Sequence, residues 1–166
     1  MSDEIPGSGT LPVRIVDFET RHRDAFRTLN VEWITTYFAM EAADHEALDD
    51  PAASILLPGG SILMAEQGDQ VLGTVALIRI PPDGVELAKM AVAPAARGRG
   101  IGLLLGRAAV ERAQRMGARR VELLTNSTLQ PALRLYRRLG FLEVPVGRTE
   151  YRRADVKMVL KLESPL

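Results

Sequence analysis

The chain has 166 residues, 46% hydrophobic and 25% charged, with 21 Lys and Arg against 21 Asp and Glu, a length that suits one hydrophobic core. Zero net charge argues against nucleic acid as the main partner, since phosphate backbones call for a basic field. Cysteine is absent, which removes disulfides, thiolate zinc sites and a cysteine nucleophile, and with only His22 and His45 no metal site is expected.

The acidic, polar start MSDEIPGSGT lacks the pattern of a targeting segment. No stretch approaches the roughly 20 apolar residues of a membrane helix. A cytoplasmic protein with no membrane partner is therefore expected. Residues 1–12, rich in Gly, Ser and Pro, read as a flexible N-terminal segment ahead of a single domain over 13–166. Val13–Phe18 alternates apolar and polar residues as a strand does. From His22 to about Ala43 the apolar positions Phe26, Leu29, Trp33, Ile34 and Tyr37 recur with helical spacing, and Glu41–Leu48 continues the pattern up to Asp49, Asp50 and Pro51. Gly59-Gly60 is a turn. Ser61–Glu66 and Val71–Ile80 form a hairpin about Gly68-Asp69, and Pro81–Gly84 turns the chain into a strand over Val85–Val92.

Pro94 breaks that strand, and a glycine-rich loop leads into a helix over Ile101–Met116, apolar at Ile101, Leu104, Leu105, Ala108, Ala109 and Ala113 and stopped at Gly117. Arg120–Thr125 is a strand, Gln130–Leu139 a helix closed by Gly140, and Phe141–Val146 and Val156–Leu162 are the last two strands. Strands crowd the first half and a strand–helix–strand crossover follows. The expected fold class is α/β, with a mixed, mostly antiparallel sheet and helices on both faces.

The chemistry concentrates in Val92–Gly102. Gly98, Gly100 and Gly102 let the backbone approach a ligand closely. The unpaired N–H groups at the start of the following helix favour an anion, and Arg97 or Arg99 adds positive charge. The result is a phosphate cradle. A dinucleotide fingerprint fails, because its third glycine would fall on Leu103, and the Gly-Lys-Ser/Thr of a P-loop is missing. The spacing that is present is Arg97-x-x-Gly100-x-Gly102. Farther on stands Leu135-Tyr136, followed by Gly140-Phe141.

These two motifs, in this order and at this separation, resemble those of the GNAT superfamily of N-acetyltransferases. The resemblance covers Val13–Leu162 in element order, with its specific motifs between Glu86 and Phe141. It implies a GNAT-like acyl-CoA N-acyltransferase fold and acetyl-CoA as cosubstrate, held by Met90, Ala91, Val92, Arg97, Gly98, Arg99, Gly100, Ile101 and Gly102. Met90–Val92 would lie along the pantetheine arm as an added strand does, and a backbone N–H near Met90 or Ala91 would face the thioester oxygen. Many members carry an Asn where this chain has Leu129, so Asn126 is the expected substitute contact.

The resemblance also implies roles in acetyl transfer to an amine. Glu86 stands where several members carry a general base, and Tyr136 matches the phenol that protonates the departing sulfur. In a regular strand Glu86 shares a face with Ala88, Met90 and Val92, an alignment that a bulge would change. Trp33, Tyr37, Glu41 and Asp44 fall at helical steps and form the expected substrate-binding face, suited to a cationic amine. Arg152 and Arg153 could instead receive a substrate carboxylate, and Lys89 and Lys157 read as solvated charges. The expected activity is acetyl transfer to the primary amine of a small molecule or amino-acid-like substrate by direct attack. A protein or peptide acetyltransferase, or a coenzyme A sensor domain without catalysis, is the alternative. Homodimerisation through the terminal strands, frequent in the family, is left open.

Overall fold

The computed structural model describes residues 11–163. The expected flexible segment, 1–12, lies outside them apart from Leu11 and Pro12. Seven strands form one sheet in the order β1-β2-β3-β4-β5-β7-β6. They are β1 (Val13–Asp17), β2 (Ser61–Gln67), β3 (Gln70–Ile80), β4 (Gly84–Val92), β5 (Arg120–Thr125), β6 (Leu142–Val144) and β7 (Val156–Lys161). Every neighbouring pair is antiparallel except β4 and β5, which run parallel. The helices are α1 (Arg23–Tyr37), α2 (Ala42–Asp49), α3 (Ile101–Arg115) and α4 (Gln130–Arg138). No helix among the described residues is long and apolar enough to cross a membrane.

Alternation along the strands builds a core on each face of the sheet. In β2, Leu63 and Ala65 join α3 residues Ile101, Leu105, Ala109 and Ala113 on one side. Ile62 and Met64 pack with Phe26 and Ile34 of α1 and Leu48 of α2 on the other. Gly73 lies beneath α3, and a Cβ there would stand 3.0 Å from Leu105 and 3.2 Å from Ile101, so the sheet and helix meet closely at this point.

Two departures from the sequence reading shape the site. The first is in the long helical stretch, which breaks: α1 ends at Tyr37, Phe38 is extended (φ −144°, ψ −170°), and Glu41 caps a new helix, its backbone N–H bonded to Asp44 while its own side chain meets the N–H of Asp44. The last turn of α1 is weakened by Thr35 and Thr36, whose hydroxyls donate to the carbonyls of Val31 and Glu32 and so compete with the helical ladder. The expected common face of Trp33, Tyr37, Glu41 and Asp44 therefore does not exist.

The second departure is in β4. Leu87 and Ala88 pair with Leu77 and Ala76, whereas Ala91 and Val92 pair with Thr74 and Gly73, so Lys89 and Met90 both stand opposite Val75. This is a β-bulge, and Lys89 takes the left-handed conformation in it (φ 53°). The extra residue inverts the alternation. Val85 and Leu87 point into the α3-side core, and after the bulge Met90 and Val92 do so as well. Glu86 and Ala88 thus face away from Met90 and Val92, a correction to the alignment expected of a regular strand.

Candidate active site

The parallel pairing of β4 and β5 covers only Gly84–Glu86 against Arg120–Glu122. Beyond Glu86 the two strands part, because the β4 bulge holds that strand to β3 while β5 stays in register with β7 as far as Thr125. A pocket opens in the gap. Ala88, Lys89 and Met90 line it from β4, Leu124 and Thr125 from β5, Trp33 and Ile34 from α1, and Tyr136 from α4.

Glu86, the last paired residue, lines this pocket. Burial pushes its carboxyl above the ordinary value against the pull of Lys89, and the nearby carboxylates of Glu150 and Glu122 push the same way. Tyr136 lines the same pocket from α4. Its ring packs edge-on against Phe141, centroids 6.1 Å apart, and burial pushes its phenol up to about 12. The pocket thus holds a carboxyl whose pKa is raised by burial and a phenol that keeps its proton at neutral pH.

The glycine loop lies outside the pocket wall. Gly98 and Gly100 have φ of +79° and +78°, and a Cβ at either would meet nothing within 4 Å. The left-handed turn is one that side chains disfavour, and the space in front of it is open. Gly100 caps α3, whose first N–H groups have no partner within the helix. Arg97 and Arg99 are exposed beside it, Arg99 donating to the Gln67 side chain at 3.1 Å. Such a loop can accept a diphosphate. Of the strand residues expected along a coenzyme arm, Met90 lines the pocket, while Ala91 is buried and paired with Thr74. Asn126 also lines the pocket, but its amide is largely committed elsewhere. Nδ2 donates to the Arg153 carbonyl at 2.7 Å, and Oδ1 accepts from the backbone and hydroxyl of Thr128.

The proposed acidic face needs a second correction. Asp44 is wholly buried, and its two oxygens accept from Lys89 Nζ at 2.6 Å, from both terminal nitrogens of Arg153 at 2.7 and 2.6 Å, and from the Glu41 N–H at 2.9 Å. Burial alone would raise its carboxyl, but these donors hold it far below the usual carboxylate range. Glu41 is likewise engaged, with Arg153 Nη1 at 3.1 Å and the Arg152 N–H at 2.8 Å, and Tyr37 is half exposed on the surface. Neither acid is free for a cationic substrate. Lys89 is not the solvated charge expected, for its side chain is only 4% exposed. Burial pushes its ammonium below the ordinary value, partly offset by Asp44. No signal in the sequence marks Lys89, because only the bulge turns it inward. Tyr151 and Arg153 complete the group, both cations standing 4.7 Å from the Tyr151 ring centre.

A mixed sheet splayed at its one parallel pair, with a glycine-capped helix after the splayed strand, is the acyl-CoA N-acyltransferase architecture. Residues 23–141 match the Acetyltransferase (GNAT) family, and the chain belongs to that family. It is 34% identical over 110 residues to N-acetyltransferase YjgM of Escherichia coli (strain K12), a match that covers 63% of this chain and 66% of that one. The chain thus spans about two thirds of that relative's length. A GNAT-family acetyltransferase from Staphylococcus aureus Mu50 has the same fold, with a TM-score of 0.83 at 18% identity over 92% of this chain and 100% of that one. YncA from Salmonella typhimurium, solved with its cofactor acetyl-CoA, gives a TM-score of 0.74 at 23% identity over 93% and 96% of the two chains.

Proposed function

We propose that the protein is an acetyl-CoA-dependent N-acetyltransferase acting on a primary amine by direct attack, with both substrates bound at once. The observation that carries this reading is the convergence of Glu86 and Tyr136 on one pocket at the parting of β4 and β5. Bound acetyl-CoA supplies the acetyl group as a thioester. The Gly98–Gly102 loop and the start of α3 receive its diphosphate, with Arg97 and Arg99 adding charge. Met90–Val92 would lie beside its arm, and a backbone N–H near Met90 or Ala91 would stabilise the charge that develops on the thioester oxygen.

An alkylammonium with pKa near 10.4 must lose a proton before it attacks. Glu86 accepts that proton at its carboxylate, directly or across a water, and the upward shift that burial gives its carboxyl makes it a stronger base than a solvated glutamate. Tyr136 holds its proton at the phenol oxygen for the departing sulfur. The presence of both groups in one pocket favours catalysis over coenzyme sensing alone. The test is a panel of primary amines with acetyl-CoA, following free thiol. Gly100→Ala is the coenzyme control. At φ +78° the new side chain costs about 1–2 kcal/mol of backbone strain but meets no protein atom. A folded variant is expected, with acetyl-CoA affinity lowered at least tenfold. Unchanged affinity by calorimetry would remove the loop from the coenzyme site.

A further inference from the structure

The charged groups around the pocket are arranged unevenly. Lys89, Tyr151 and Arg153 line it, whereas Asp44 and Glu41, the acids that neutralise the two cations, stand outside its wall. An ammonium has three donors, and Lys89 uses two, on Asp44 and on the Tyr151 oxygen at 3.0 Å. The guanidinium has five, and Arg153 directs Nη1 to Glu41 and Asp44 and Nη2 to Asp44, leaving Nε and one Nη2 hydrogen without a protein acceptor among the described residues. The Tyr151 oxygen accepts from Lys89, and its own hydrogen has no acceptor there either. These donors come from two separate segments, the β4 bulge and the loop before β7, and both are anchored to the buried Asp44. Their positions are therefore set before any ligand enters. Glu86 lines the same pocket, close enough to Lys89 and Tyr151 to act on both electrostatically, and Trp33 with Ile34 adds apolar surface.

We propose that Lys89, Tyr151 and Arg153 form a carboxylate-binding subsite, so that the acceptor is an amino acid, with its amine directed to Glu86 and its carboxylate to these three donors. The assignment rests on the acetyltransferase reading of the same pocket and narrows its substrate. A carboxylate takes charge-assisted bonds from spare donors that a neutral amide satisfies less well. The phenol of Tyr151 stays protonated, since burial, with Asp44 and Glu86 nearby, pushes it upward.

Two readouts test the subsite and the transfer chemistry separately. With the protein saturated with coenzyme A, calorimetry compares L-leucine, L-phenylalanine, L-methionine and 4-aminobutyrate with their carboxamides. With acetyl-CoA, the same pairs are compared by thiol release. At least one acid is expected to bind tenfold or more tightly than its amide. Tyr151→Phe, which keeps the ring beneath both cations, should reduce that preference at least threefold. Arg153→Lys, checked for folding by circular dichroism, should reduce it further. Equal affinities within every pair, no binding of any acid, or a preference unmoved by Tyr151→Phe overturns the subsite. A carboxylate preference in binding without thiol release upholds the subsite and overturns acetyl transfer. Thiol release that is indifferent to the carboxylate does the reverse.

Discussion

Asp44 is the anchor on which the pocket's polar wall depends, and Asp44→Asn is the sharpest test of that arrangement. A carboxylate offers about four lone-pair positions, and here all are filled by Lys89, both ends of the Arg153 fork and the Glu41 N–H. An asparagine keeps one carbonyl oxygen and turns an N–H₂ group toward donors. The change leaves Lys89, 4% exposed, with a buried charge and no bonded counterion, only the longer-range pull of Glu86, while Arg153 retains Glu41. Removing one partner of a buried ion pair costs about 3–5 kcal/mol, and the loss of two cation contacts together argues for about 4 kcal/mol, which is a fall in Tm of roughly 8–16 °C for a domain of this size. Urea unfolding at neutral pH measures it, with a second variant to close the cycle. Once Asp44 is gone the Lys89 ammonium is only a liability, so adding Lys89→Met should cost less than about 1 kcal/mol more, or recover stability. A cost for Asp44→Asn below about 1 kcal/mol, the worth of a solvated pair, would refute the buried network, as would strict additivity of the two changes.

The proton carriers give two further predictions. Tyr136→Phe should keep the fold and coenzyme binding while kcat falls by about 10²–10⁴-fold; retention within about threefold of the parent, well short of that range, would make Tyr136 a packing residue. Glu86→Gln should lose activity and with it the acidic limb of the pH–rate profile, measured against a non-enzymatic control with the same amine. Its effect on stability should be opposite in sign. A carboxyl whose folded pKa is raised binds more protons folded than unfolded, so stability falls as pH rises from the ordinary value of 4.5 through the folded one. Glu86→Gln should therefore be at least as stable as the parent at pH 7 and lack that decline. A variant less stable than the parent at pH 7 would show that the carboxylate is structurally satisfied and not a desolvated base.

Much of the fold was legible because its signals are local. Alternation in β1, the turns that bound β2 to β4, the apolar spacing of α3 and the stops at Gly117 and Gly140, each at positive φ, follow from single segments. The boundary between α1 and α2 was less visible. Helical spacing continues through Phe38–Glu41, and what breaks it is a competition that periodicity does not record. Threonine hydroxyls bond backward to the preceding turn, and Glu41 and Asp44 cap the next helix reciprocally. Glu41 and Asp44 reverse the usual capping pair, which has a short side chain at the cap and a Glu or Gln three residues on, so the pair did not mark the boundary in the sequence.

The geometry of the candidate site was legible only where it follows from a residue's own segment, as with the left-handed Gly98 and Gly100 of the loop. Tyr136 was singled out by resemblance, and its place on the pocket wall is what the structure adds. The acceptor wall belongs to long-range geometry: Asp44, Lys89 and Arg153 are far apart in sequence and meet because β4 carries one extra residue. Without the bulge, Lys89 would share the face of Val85 and Leu87 and enter the α3-side core, where a buried ammonium has no acid to meet. Instead the inversion sends Lys89 toward Asp44 and returns Met90 to the core beside α3. It also holds β4 away from β5, so that the gap above Glu86 stays open. One inserted residue thus couples the opening of the cleft to the placement of its cationic wall. The mouth of the pocket and its cationic wall both take their positions from a single backbone irregularity.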